Sequence, residues 1–291
     1  MRFTSMRFTS MRLMTGLWAL VLVAQVGAQP LKLGAVSYVK TDTGGSIAPV
    51  VKYLEGGLGR PIAITMYATY DEVLGKIEKK ELDLAILPPA VNLEAYDRLK
   101  TRPLGYGVYN NGRFSYTALV LVKKDSPVKS LADLKGQPIG FVDKYSASGY
   151  LYPRAMLRQA GLGEKDFTEV FHGNHLDALA ALDEGKVAAT ATYELMFEEA
   201  KTAHKTLADY RVIAESEPIP SEALVGTAAL DEKTANRVTE LLLSFYHARK
   251  GKQELAGGMY SSFIPADPAI LVDIRFVHDH ALPSGLKEAV K

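Results

Sequence analysis

Two serines bracket an alanine in the run Tyr145-Ser146-Ala147-Ser148-Gly149-Tyr150, which follows a strand-like apolar segment at 137–142 and opens a helix-like one at 151–160. Hydroxyls at such a place join the unpaired backbone N–H groups of a helix start, where the helix dipole also favours negative charge. Small side chains let the backbone approach a ligand oxygen closely, so an anion can be held there without a fixed cation. A serine at a helix start also serves as a plain N-cap, and both readings stand at this point.

Other chemistries fit the residues less well. Gly44-Gly45-Ser46 lacks the length and the lysine of a nucleotide phosphate loop, although it can bring N–H groups to a cleft. Ser146 or Ser148 with His175 and Asp177 has the composition of a hydrolase triad, but no Gly-x-Ser-x-Gly elbow is present. His172 with His175, and His278-Asp279-His280, resemble metal ligands only in type, since no third ligand has suitable spacing. No catalysis, metal or cofactor is therefore expected. The balance of 34 basic against 33 acidic residues gives no electrostatic footprint for nucleic acid or an anionic membrane.

The elements that must position these groups begin after an export signal. Arg2, Arg7 and Arg12 lie in a basic start, 13–26 is apolar, and Val26-Gly27-Ala28 supplies small residues for cleavage before Gln29. That apolar stretch is short for a bilayer span. With no cysteine there can be neither a lipidated N-terminal thiol nor a disulfide framework. Residues 1–28 are thus predicted as a signal peptide and the mature protein as soluble and periplasmic. Strand-like segments at 31–36, 60–66, 82–87, 116–123, 138–142, 167–170, 187–192 and 223–227 alternate with helix-like ones at 46–54, 71–80, 91–99, 151–160 and 175–184, and 231–291 reads as mainly helical. The pattern predicts α/β layers with mostly parallel sheets. The mature length sits where one core usually divides in two. We expect a first lobe of 29–118 and 222–291 and an inserted second lobe of 119–221. Two crossing segments, near 116–122 and 218–225, would flank a ligand cleft that closes by hinge motion.

Lys124-Asp125-Ser126-Pro127, then Ser130-Leu131-Ala132-Asp133-Leu134-Lys135-Gly136 and Gly140-Phe141, resemble the second-lobe entrance of type II periplasmic solute-binding proteins. The chain is more closely similar to the phosphate/phosphite/phosphonate-binding branch. That likeness rests on Ser146-Ala147-Ser148-Gly149-Tyr150-Leu151 with Pro153, on Gly173-Asn174-His175, on Pro218-Ile219-Pro220 and on Phe263-Ile264-Pro265-Ala266-Asp267. The resemblance implies a monomeric binding component that hands a small anionic ligand to the permease of an ABC importer. It also implies site residues. Ser146 and Ser148 would donate to a phosphoryl group, with Ala147 where the family usually carries threonine. Tyr70 and Tyr116 match cleft tyrosines, and His175, or Asn174 one position earlier, matches a histidine on phosphoryl oxygen. A proton shared by that imidazole would make affinity fall as pH rises past about 6–7. Glu194 and Glu222 fall where aminoalkylphosphonate binders place carboxylates for the ligand amine. Pro88-Pro89-Ala90 departs from the family's usual glycine. A periplasmic sensor of the same fold, or a binder of another oxyanion or an organic carboxylate, remains an alternative reading.

Overall fold

The computed structural model describes residues 29–36, 44–199 and 206–281; the export segment read at 1–28 lies outside them. In chain order the first elements are β1 (Leu31–Val36), α1 (Ala48–Leu58), β2 (Ile62–Tyr67), α2 (Tyr70–Glu78), β3 (Leu84–Leu87), α3 (Pro89–Leu99) and β4 (Arg102–Tyr109). β5 (Ser115–Tyr116) and β6 (Ala118–Lys123) lead to β7 (Pro138–Phe141), α4 (Tyr152–Gln159), β8 (Thr168–Phe171), α5 (His175–Asp183), β9 (Ala189–Tyr193) and α6 (Met196–Glu199). Then come β10 (Tyr210–Glu215), β11 (Ile219–Pro220), β12 (Ala223–Gly226), α7 (Glu232–Arg249), β13 (Tyr260–Ile264) and α8 (Pro268–Ala281).

The strands form two α/β lobes. One holds a six-stranded sheet in the order β13-β4-β12-β3-β1-β2, the other a five-stranded sheet in the order β10-β6-β9-β7-β8. Leu33, Leu84, Leu121 and Val225 are fully buried, as central strands covered on both faces require. The sheets are mixed rather than mostly parallel. β1 runs parallel to β2 and β3, whereas β12 is antiparallel to β3 and β4. Likewise β7 is parallel to β8 and β9, whereas β6 is antiparallel to β9 and β10. A chain that returns from one sheet to the other needs no crossover helix if it arrives antiparallel. The two crossings pair with each other: β5 and β11 form an antiparallel ribbon with Tyr116 opposite Ile219.

Several local expectations shift. α1 passes through Gly56-Gly57 and ends at Gly59, whose φ of 60° closes the helix with its N–H on the Glu55 carbonyl. Gly57 serves close helix packing instead, since a Cβ there would lie 2.4 Å from Leu241 Cδ2 on α7. β4 escaped the periodicity because Pro103, Gly105 and Gly107 interrupt it. A Cβ at Gly107 would meet the Tyr260 ring at 2.3 Å. β13 interrupts the helical tail predicted after residue 231. α8 then lies against both α3 and α4. Arg275 grips Asp97 on α3 with two bonds of 2.5 and 2.6 Å, while Arg154 and Arg158 on α4 donate to the Ala281 and His280 carbonyls at 2.9 and 2.5 Å.

Candidate inter-lobe anion site

β7 ends at Phe141, and the chain bends at once. Tyr145 N–H donates to Asp143 Oδ1 at 2.8 Å, and Ser146 N–H to the Asp143 carbonyl at 3.0 Å. Residues Ala147–Leu151 then wind as a single π-turn that runs into α4, instead of the plain helix expected from 151. The wide turn is closed by Leu151 N–H on the Ser146 carbonyl at 3.0 Å. Ser146 is a true cap, its Oγ accepting from Gly149 N–H at 3.0 Å. Gly149 is required by space, because a Cβ would sit 2.4 Å from Val142 Cγ2 and 2.7 Å from Ser146 Oγ. Turns of this width recur where a helix must present backbone to a ligand.

The turn borders a small, nearly filled cavity. The second lobe contributes Ser146, Ala147, Ser148, His175 and Tyr193; the first lobe and the crossings contribute Tyr70, Pro88, Tyr116 and Glu222. Most of these residues stand just past, or at, the carboxyl ends of parallel strands β2, β3, β7, β8 and β9, where open α/β sheets bind ligands. The starts of α2, α3 and α5 and the π-turn meet there, so several positive helix ends face one space. Side chains of the two lobes approach each other across it, Tyr70 near Ser146 and Tyr116 near Ser148. Burial raises the pKa of both phenols, which stay protonated donors. A second chamber of similar size adjoins, sharing Tyr70 and His175 and edged by Thr69, Asp143 and Asn174.

Ser146, Ala147, Ser148, Tyr70, Tyr116, His175 and Glu222 are thus brought together. His175 is fully enclosed, with Nδ1 2.9 Å from Thr192 Oγ1 and its ring edge-on to Tyr193 at 4.8 Å. Loss of water pushes its pKa down to about 3, which corrects the expected imidazolium switch near neutrality. The lowered value means the unfolded chain takes the proton first. His175 therefore withdraws stability as pH falls from about 6.5 towards 3, and contributes no step above that. A ring-proton NMR titration is expected to show His175 neutral down to about pH 4–5. Asn174 is committed to capping α5, accepting from Asp177 N–H at 2.9 Å and donating to Asp177 Oδ2 at 2.7 Å.

The two glutamates part company. Glu222 is buried in the cavity wall, where its Oε2 accepts from Tyr109 and Tyr260 hydroxyls at 2.9 and 3.1 Å. Glu194 is not among the lining residues, contrary to expectation. β9 ends one residue earlier, and Glu194 turns to the crossing instead: Oε2 accepts from Thr117 N–H at 2.7 Å and Oε1 lies 3.1 Å from Arg113 Nη2. Pro88 precedes α3 with no side-chain cap and lends the wall an apolar ring. Tyr193 was missed, although its place at the end of a strand was a usable signal.

The family profile for the ABC transporter phosphonate periplasmic substrate-binding protein matches residues 37–271, which is most of the chain and includes every residue named above as lining the cavity. This chain belongs to that family. Among phosphonate-family relatives, the phosphonates-binding periplasmic protein of Escherichia coli is 24% identical over 233 residues, covering 78% of this chain and 69% of that protein. The crystal structure of a binding component of an ABC phosphonate transporter from Pseudomonas aeruginosa superposes with a TM-score of 0.74 at 22% identity, covering 87% of each chain. A Prochlorococcus marinus homologue, solved in complex with methylphosphonate, gives a TM-score of 0.71 at 20% identity over 86% of this chain and 97% of that one. As a phosphonate-family member the chain is a periplasmic substrate-binding component of an ABC transporter, a class that binds and delivers a small ligand to a permease. Among the described residues lining this member's cavity there is no lysine or arginine.

Proposed function

We propose that this protein captures a small phosphorus oxyanion (a phosphonate, phosphite or phosphate) between its lobes and delivers it to the permease of an importer. The carrying observation is the convergence of several helix starts with buried hydroxyls of both lobes on one small cavity free of lining cations among the described residues. In the proposed mechanism Ser146, Ser148 and the N–H groups of the π-turn hold the anionic head from the second lobe. Tyr70 and Tyr116 donate from the first lobe and the crossing. The ligand engages the hydroxyls that face one another across the cavity, and His175 meets it as a neutral ring. Exclusion of water on closure strengthens each polar contact, and the closed form is selected by the ligand's better fit to it. The moving bodies are residues 29–118 with 222–291 and residues 119–221, and the protein acts as an exported monomer with no bound metal and no chemical turnover.

A thermal-shift panel of phosphate, phosphite, methylphosphonate, 2-aminoethylphosphonate, sulfate and arsenate tests this. A true ligand at a hundred times its Kd adds about 2.7 kcal/mol of stability, and one phosphorus oxyanion is expected to stand out. Equal, null responses across all the phosphorus compounds would remove the proposal.

A further inference from the structure

α4, the end of β10 and α8 enclose an open groove of ≈ 610 Å³ that shares no lining residue with the anion cavity. Its volume falls in the range of small-molecule sites. The floor is apolar: Met156 of α4 and Val277 of α8 line it with the rings of Tyr152 and Phe276. Phe276 is 64% exposed, whereas Tyr152 is only 6% exposed. Yet the Tyr152 hydroxyl has no hydrogen-bond partner among the described residues, although a buried phenol normally finds one. Burial, with Asp273 nearby on α8, pushes its pKa up to about 12, so it stays a neutral hydroxyl with lone pairs to offer. The rim is negative. Glu215, Glu217 and Asp273 line the groove, are exposed, and form no ion pair among the described residues. The arginines of the three walls are engaged elsewhere: Arg154 with Glu169, Arg158 with the His280 carbonyl, Arg211 with the Ser126 and Val128 carbonyls, and Arg275 with Asp97.

We propose that this groove is a second ligand site, separate from the anion cavity, that takes an amphiphilic organic cation: an ammonium carried on a compact alkyl or arylalkyl body. The ammonium sits among the rim carboxylates and donates to the Tyr152 hydroxyl. The body lies on Phe276, Val277 and Met156, whose unbranched thioether adapts to varied shapes. The two aromatic rings also offer their faces to the charge. A bare inorganic cation gains nothing from the apolar floor, and an anion of the same shape as the amine is turned away by the rim. The proposal goes beyond oxyanion capture and does not depend on it.

NMR of the intact mature protein with isotope-labelled methionine methyls decides it. Met156 reports on the groove and is assigned through Met156→Leu, while Met66, Met196 and Met259 lie outside it and serve as controls. The probes are 4-phenylbutylamine, 4-phenylbutan-1-ol and 4-phenylbutyrate, which share one body and carry a cation, no charge and an anion. At low ionic strength the amine is expected to move the Met156 methyl saturably, with a Kd at least about 10-fold below that of the alcohol, and the carboxylate to leave it in place. Salt near 0.5 M should narrow the preference for the amine, since the rim is exposed. Glu215→Gln with Glu217→Gln is expected to cut that preference to below about 3-fold and leave the alcohol unaffected. Phe276→Ala, at an exposed position, should weaken amine and alcohol alike, by about 5-fold or more. Equal binding of amine and alcohol overturns the proposal, as does a saturable shift confined to the control methionines. Absence of any saturable Met156 shift overturns it too, because the groove is then closed to such ligands. A Met156 position that depends on protein concentration before any probe is added makes the groove a face between copies of this chain, which also overturns it. Each wild-type result stands even if a variant folds poorly.

Discussion

Ser148→Ala is expected to weaken capture of the phosphorus oxyanion by about 10- to 100-fold while leaving the fold within about 1 kcal/mol of its parent. A hydrogen bond to a charged group contributes roughly 1.5–3 kcal/mol, and each 1.4 kcal/mol is a factor of ten in affinity. Ser148 is 3% exposed and its hydroxyl lies near the Tyr116 phenol. It does not cap the π-turn; Ser146 does, through Gly149 N–H. The two serines therefore separate binding from folding. Ser146→Ala should lose a comparable factor in affinity and also about 1 kcal/mol of stability as the cap disappears. Calorimetry with the best phosphorus ligand, alongside urea unfolding of both variants, measures the two effects independently. Ser148→Thr, which restores a hydroxyl, should recover much of the loss. Unchanged affinity in Ser148→Ala would take that serine out of the site.

Phe141→Ala is expected to cost about 3–5 kcal/mol, the usual penalty for removing a buried aromatic ring and leaving its cavity. Phe141 is fully buried at the end of β7, edge-on to Tyr150 at 5.2 Å, with Phe171 at 6.1 Å and Phe167 at 6.4 Å. It is the floor on which Tyr150, and hence the serine turn, rests. Against a total stability of roughly 5–15 kcal/mol, such a loss brings the protein near unfolding at ambient temperature. The urea midpoint should drop sharply with little change in slope. Because ligand binds only the folded form, saturating phosphorus oxyanion should recover part of the lost midpoint by mass action. A loss below about 1 kcal/mol would mean the second lobe repacks around the void.

The serine run was legible because small hydroxyl residues between a strand and a helix can serve an anion as well as a cap, and β1 appears over the residues read as the first strand. Tyr70 and Tyr116 came from resemblance, and the structure brings their hydroxyls to the two serines. What was illegible depended on distant parts of the chain. Glu194 and Glu222 are chemically alike, and only the end of β9 at Tyr193 and the phenols of Tyr109 and Tyr260 decide which one enters the cavity. The neutrality of His175 is a property of its enclosure, with Thr192 and Tyr193 as neighbours, and local spacing carries no trace of that. β4 was hidden by the glycines that let Tyr260 close over it. The placing of β12 between β3 and β4 is long-range pairing, set by the return of the chain through β11.

If the lobes close as proposed, α8 limits how far they can part. Its final carbonyls are tied to α4 by Arg154 and Arg158, and its Arg275 is forked onto Asp97 of α3. Any swing about the β5–β11 ribbon must stretch or snap one of those moorings. The guanidinium–carbonyl tie at Arg154 is buried, whereas the Arg275–Asp97 fork is part-exposed, at 44% and 38%, and so gives way more cheaply. In the proposed closure α8 would moor the two moving bodies to each other, a leash that allows a narrow yawn and draws the jaws back into register.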